Sequence, residues 1–114
     1  MTIISVYYTA KMTDADHKEL LEARLADIRR VGDTVNLLTV IEEGFESNAV
    51  RSKNERNFSK EVNPYVRKSA VVGATGMMKV TVASLKMFSK REIQEFDNET
   101  SATAWLRDEL EVKA

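Results

Sequence analysis

Thr34-Val35-Asn36-Leu37-Leu38-Thr39-Val40-Ile41 is apolar on both sides of an extended chain, broken only by Asn36 and Thr39. Successive side chains of a strand point to opposite faces, so a strand that is apolar on both must be covered on both. This is the pattern of an interior strand in a parallel sheet flanked by helices. The segment before it supports that reading. Leu21, Leu25 and Ile28 recur at i, i+4 and i+7, with Leu20 and Val31 widening the apolar face. Thr13, three residues ahead of Asp16, opens this helix over about 14–30 with an approximate capping box, and Gly32-Asp33 ends it. Thr2–Thr9, rich in β-branched and aromatic residues, is a first strand whose direction the sequence leaves open.

Beyond the central strand the alternation continues. Ser47 is read as the N-cap of a second helical region that ends before Pro64. Its first half, Arg51–Asn57, is wholly polar, so Phe58, Val62 and Val66, with Tyr65, are taken as its anchors. Ser69-Ala70-Val71-Val72 is a short buried strand, and Gly76 leads into a third helix ending near Ser89. Glu92–Phe96 is the last strand, with Ile93 and Phe96 on opposite faces. Asp97 or Asn98 caps a final helix carrying Ala102, Trp105, Leu106 and Leu110. Four βα units in series give an α/β fold around one mostly parallel sheet, with residues 1–114 as a single domain.

Composition narrows the chemistry. The 114 residues include 29 Leu, Ile, Val and Phe, enough for a core and too many for a disordered chain. Absence of Cys excludes disulfides, thiolate metal sites and Cys nucleophiles together. With His17 as the only histidine, His-rich metal clusters are excluded. Asp16 and His17, adjacent on a helix, diverge by about 100° and chelate poorly. Asp14 and Asp16 are explained by the dipole at the helix start. No cofactor, metal site or catalytic residue is expected. No apolar run reaches the ~18 residues of a membrane span, and the N-terminus lacks the charged region and cleavage site of a signal peptide. The expected location is therefore cytoplasmic.

The net charge of −1 conceals a strong asymmetry. Residues 51–91 carry ten basic and two acidic residues, whereas residues 1–50 and 92–114 are net −4 and −5. A basic middle folded to one side would attract phosphates, anionic lipid heads or an acidic protein, unless the flanks neutralise it in space. Nucleic acid is not the expected partner. The basic segment lacks the Gly-rich aromatic signatures of single-strand binders, and Phe58, Tyr65 and Phe88 lie at core-like spacings.

The stretch Tyr65-Val66-Arg67-Lys68-Ser69-Ala70-Val71-Val72-Gly73-Ala74-Thr75-Gly76 and the tail Phe96-Asp97 followed by Ala104-Trp105-Leu106 give the chain a resemblance to the SpoIIAA-like proteins. These have the STAS-type fold of anti-sigma-factor antagonists, and more closely this chain looks like their small, mostly uncharacterised bacterial relatives. The resemblance implies a βα superhelix without catalytic machinery that binds proteins or small ligands. A looser likeness extends to the much larger CRAL-TRIO lipid-transfer domains. In the antagonists a Ser in a D-S-x-G-like motif opens a helix and is phosphorylated. Here Ser47 takes that place as a regulatory candidate, but the Asp-Ser pair and the following Gly are absent from Glu43-Gly44-Phe45-Glu46-Ser47-Asn48-Ala49.

Two neighbouring features define the expected binding surface. Val71-Val72-Gly73-Ala74-Thr75-Gly76 is a strand-to-helix turn, but the third position of a dinucleotide fingerprint falls on Lys79. A single phosphate or carboxylate is the largest anion such a turn would hold. In the third helix, Lys86 and Lys90 fall about 20° to either side of Lys79, forming one stripe. The other faces are almost wholly apolar, more than docking on a single sheet requires. The surplus is to be covered by flanking helices, by a second copy, or by a ligand or membrane. The sequence thus describes a non-enzymatic binding or regulatory module, expected to be a homodimer. It contacts a protein, a lipid-like anion or a membrane surface through Gly73, Thr75, Gly76, Lys79, Lys86 and Lys90. The alternative is a carrier of a lipid or amphipathic acid, with its head near Gly76 and Lys79 and its tail between the third helix and the sheet.

Overall fold

The computed structural model describes residues 1–109. The elements run β1 Ile3–Tyr8, α1 Asp14–Val31, β2 Val35–Ile41, α2 Ala49–Val62, β3 Val66–Val72, α3 Gly76–Phe88, β4 Glu92–Phe96 and α4 Glu99–Leu106. The sheet order is β1-β2-β3-β4 and every neighbouring pair is parallel, which settles the direction of β1. Leu110, assigned to the last helix by its spacing, lies outside the described residues.

Both faces of the sheet are covered, as β2 requires. Val35, Leu37 and Ile41 join Val6, Leu21, Ile28, Phe58, Met78, Val82 and Ile93 in the larger core, beneath α1, α2 and α3. Leu38, Ala70 and Val72 form the smaller core with Ala102, Trp105 and Leu106 of α4. Ile93 and Phe96 serve opposite cores, so the ambiguous spacing in β4 reflects coverage on both sides.

Asn36, one of the two breaks in the apolar strand, has a structural cause. The β2–β3 register is irregular between Val35 and Leu37. Fully buried there, Asn36 accepts from the Lys68 amide at 3.2 Å and donates from Nδ2 to the Leu106 carbonyl at 2.6 Å. One side chain therefore bridges the irregular register and ties α4 to the sheet, with both ends of its own buried amide paired. The α4 end is held further by Lys68, whose ammonium lies 4.6 Å from the Trp105 ring centroid and 2.7 Å from Asp108 Oδ1. Hydrogen bonds from Lys68 and then Arg67 hold the Asp108 carboxyl below its ordinary range.

Helix starts follow the expected chemistry with one correction. Thr13 and Asp16 form a capping box, with both reciprocal bonds at 3.0 Å. Gly32 closes α1 in the left-handed conformation and Asn98 caps α4. Ser47, however, is not the N-cap of α2. Asn48 is, with an extended backbone and Oδ1 accepting from the Arg51 amide at 2.9 Å, while the Ser47 hydroxyl pairs with Ser52 Oγ at 3.3 Å. Val66, counted among the helical anchors, belongs to β3.

Gly73 and Gly76 both have positive φ, 88° and 54°, yet their surroundings differ. A methyl at Gly73 would be driven into the Ile41 carbonyl oxygen, whereas one at Gly76 would meet nothing within 4 Å. Gly73→Ala should therefore destabilise by about 3 kcal/mol, through backbone strain plus the clash. Gly76→Ala should cost about 1 kcal/mol from the left-handed conformation alone. Urea unfolding of the two variants tests this, and equal losses would contradict it.

Candidate functional site

The residues singled out by sequence divide into a cluster, a helix face and outliers. Gly73 and Thr75 border a cavity of about 210 Å³ at the C-terminal ends of β3 and β4, together with Lys79, Glu95 and Asp97. Thr75 caps α3 through its carbonyl and not its side chain. Lys79 Nζ stands 3.9 Å from Glu95 Oε1, so the one cation of this cavity is already matched by carboxylates. The turn thus does not present the one-signed lining that a phosphate favours. Gly76 and Lys79 begin α3 and Lys86 lies further along it, but the helix ends at Phe88, so Lys90 leaves the stripe. An extended Ser89, with ψ of 147°, redirects the chain before Lys90.

The outer face of α3 is where the expected surplus of apolar surface is found. Met78, Thr81 and Val82 are buried, with Leu85 half-buried beside them. Flanking helices do not cover the rest. Val80 is 69% exposed, Met87 77% and Phe88 80%, with Met77 also exposed. At 100° per residue these side chains lie on one side of the helix within an arc of about 100°, with Ala83 and Ser84 between Val80 and Met87. Lys79 and Lys86 bound it on the side of β4, and Phe88 on the other side adjoins Arg56 and Lys60 of α2. Among the described residues, Arg56, Lys60, Lys86 and Lys90 have no carboxylate within 4.0 Å. The basic middle of the chain is therefore only partly neutralised. Arg51 pairs with Asp14, while Arg67 and Lys68 pair with Asp108.

Sequence reasoning missed a second constellation, which begins in the supposedly unanchored half of α2 and runs on to Ser59. Arg51, Ser52, Glu55 and Ser59 are all buried. Their spacing extends the stripe of Phe58 and Val62 backwards by two turns, and that periodicity was the available signal. Glu55 Oε1 lies 2.8 Å from His17 Nε2 of α1 and accepts from the Tyr8 hydroxyl of β1. His17 is fully enclosed, edge-on to the Tyr8 ring, and its Nδ1 has no partner.

Beyond Glu55 a cavity of about 30 Å³ separates it from Arg91, and Thr39, Ser59 and Ser69 also line it. Arg91 donates to Ser69 Oγ at 2.7 Å, to Ser59 Oγ at 3.0 Å and to Asn63 Oδ1. Burial lowers its pKa to about 10, against the pull of Glu55, so it remains a cation at neutral pH. Hydroxyl pairs then join α2 to α3: Ser52 to Thr81 at 2.8 Å and Ser59 to Ser89 at 3.2 Å. Ser47, half-buried, feeds the first of these through Ser52 at 3.3 Å. The space between α3 and the sheet is thus occupied by packed side chains and one cavity of water size. That cavity by itself is too small for the tail of a carried lipid. Asp14 and Asp16 cap helices or pair with Asn48 and Arg51, and among the described residues no three acidic or histidine side chains converge to hold a metal ion.

Four βα units wound in order, with three helices on one face and one on the other, define an α/β domain around a parallel sheet. The chain belongs to the SpoIIAA-like family, whose model matches residues 3–107. A solved structure with this fold is that of an uncharacterised DUF3478-family protein with a SpoIIAA-like fold from Shewanella loihica PV-4. The two share a TM-score of 0.50 over 92% of this chain and 78% of that one, at 13% identity, which is a likeness of fold. No curated protein matches the chain. Among the described residues no helix is long and apolar enough to cross a membrane.

The buried cluster carries a pH signature. Burial, followed by the adjacent Glu55 charge, raises the Tyr8 pKa well above its ordinary value. A group whose pKa is raised on folding contributes fully below its unfolded pKa, about 10 for a phenol, and loses that contribution as the pH climbs toward the folded value. Tyr8→Phe should lower stability by about 1 kcal/mol at neutral pH and flatten the decline above about pH 10. Urea unfolding of both proteins across that range is the check, and parallel profiles would contradict the assignment.

Proposed function

We propose that this SpoIIAA-like domain is a non-enzymatic binding or regulatory module that presents the outer face of α3 to an acidic protein partner. The observation that carries this reading is the exposed strip of Met77, Val80, Met87 and Phe88 between two basic rims. Isolated exposed apolar residues are ordinary, but four on one side of a helix edged by basic residues are not. Apolar area would supply affinity, and Lys79, Lys86 and Lys90 would steer the partner's approach. Methionines suit such a face because their flexible thioethers adapt to the surface opposite. The Gly73–Thr75 turn borders this surface, with Glu95 and Asp97 giving its far edge the opposite charge.

The salt response separates an acidic partner from a second copy of the chain. A two-fold contact through α3 would bring like-charged rims together, so self-association should strengthen as salt screens them. Binding to an acidic partner should weaken with salt.

A photo-crosslinker at the exposed Ala83 position, introduced in cells, tests the reading. It should capture one or a few discrete proteins, with yields that fall at least tenfold in Lys79→Glu/Lys86→Glu/Lys90→Glu. Products unchanged by the triple substitution, or none at all, would contradict it.

A further inference from the structure

The groove between α2 and α3 differs from the other concave surfaces in the sign of its charge. It has a volume of about 360 Å³, with Leu85 and Phe88 on one side and Arg56, Ser59, Lys60 and Asn63 on the other. No carboxylate lines it. The α1–α2 groove mixes Lys18 with Glu22 and Glu61, and the cavity beside the Gly73 turn mixes Lys79 with Glu95 and Asp97. The hollow on α4 sets Arg107 against Glu99 and Glu109.

An independent feature lies behind the groove wall. Arg91 donates to Ser59 and Asn63, both of which face the groove, and to Ser69. All of these acceptors are neutral, and among the described residues no carboxylate lies within 4.0 Å of its guanidinium. A half-buried cation is ordinarily matched by an opposite charge close by. Glu55 faces Arg91 across the small cavity on the core side, and on the groove side Arg91 orients two polar side chains beside Arg56 and Lys60. Ser59 and Asn63 are thereby held in fixed positions, and Ser59 is also linked to Ser89 across the groove floor.

We propose that the α2–α3 groove binds a small amphipathic anion as a free monomer, with its carboxylate or phosphate head between Arg56 and Lys60 and a short apolar tail along Leu85 and Phe88. The volume lies at the lower end of the roughly 300–1,000 Å³ of small-molecule sites, which favours a single short-tailed molecule over a peptide or bilayer. The head exchanges water for charge-assisted hydrogen bonds, and the tail covers the ring of Phe88, which is otherwise 80% exposed. This places an amphiphile outside α3, not beneath it where the core is packed. The site shares Phe88 and one basic rim with the α3 face, but the two readings are separable, because its head-binding cations are on α2 and the steering lysines are on and just beyond α3.

Octyl phosphate and octanoate, kept below micelle formation, are the probes, with inorganic phosphate and uncharged octyl glucoside as controls. Amide NMR shifts during titration should move at Ser59, Lys60, Asn63 and Ser84–Ser89 and saturate at one molecule per chain. Each control should bind at least tenfold more weakly, since each lacks either tail or charge. Arg56→Glu/Lys60→Glu, at two exposed positions the fold does not use, should weaken octyl phosphate at least tenfold, while Lys79→Glu/Lys86→Glu should change it less than twofold. The proposal is overturned by shifts outside the groove, by equal affinity for octyl glucoside, or by indifference to the Arg56 and Lys60 substitutions. Binding to anionic phospholipid vesicles without binding to the monomeric amphiphiles would also overturn it, assigning the surface to a bilayer.

Discussion

A single buried carboxylate fixes the arrangement of three elements. Glu55 of α2 bonds His17 of α1 and Tyr8 of β1, while Arg91 holds positive charge across a small cavity. Desolvating a carboxylate costs several kcal/mol, and the cost is offset only when its partners are in place. The cluster therefore contributes less to net stability than to choosing one rotation of α2 over others. That rotation turns Ser52 and Ser59 inward and leaves Arg56 and Lys60 facing water. Ser52 in turn pairs with Thr81, which sets the rotation of α3. The exposed strip on α3 and the one-signed groove beside it are consequences of polar pairing in the interior.

The sheet was legible because its code is local. Alternation in β2, apolar on both faces, demanded helices on both sides, and the caps at Thr13, Gly32 and Asn98 marked boundaries by chemistry confined to a few residues. The cluster around Glu55 was not, because its partners lie 38 and 47 residues away in sequence and each residue alone reads as surface. A polar run in a helix is ordinarily a solvated face, and only the 51, 52, 55, 58, 59, 62 spacing contradicts that here. Ser47 and Lys90 were misplaced for a simpler reason: both lie at helix ends, where one residue changes the role. The apolar surplus of α3 was visible from composition, but whether neighbouring helices cover it depends on rotation about the helix axis. That rotation is set by Thr81, which hydropathy does not distinguish from a surface residue.

The charge asymmetry along the chain becomes partly spatial on folding. Arg51, Arg67 and Lys68 are absorbed by Asp14 and Asp108, so the acidic flanks neutralise those positions. What they leave is concentrated around α3 and the adjoining edge of α2. Family membership fixes the architecture and leaves function to such surface features, since sites are built on a fold and do not follow from it. The α3 face and the α2–α3 groove share Phe88, so occupancy of the groove would alter one end of the contact strip. A small anion and a protein partner would then influence each other's binding through that one ring.

The central claim is that the outer face of α3 is covered in the cell, and methionine oxidation reads it directly. Met77 and Met87 are exposed whereas their neighbour Met78 is 2% exposed, and half-buried Met12 serves as an internal reference away from α3. A brief peroxide pulse followed by mass spectrometry compares purified protein with protein in intact cells. In purified protein Met77 and Met87 should oxidise readily and Met78 should be spared. In cells Met77 and Met87 should be protected several-fold relative to Met12. Equal relative rates in the two settings would mean that nothing occupies this face, and the account of α3 as a contact surface would fail.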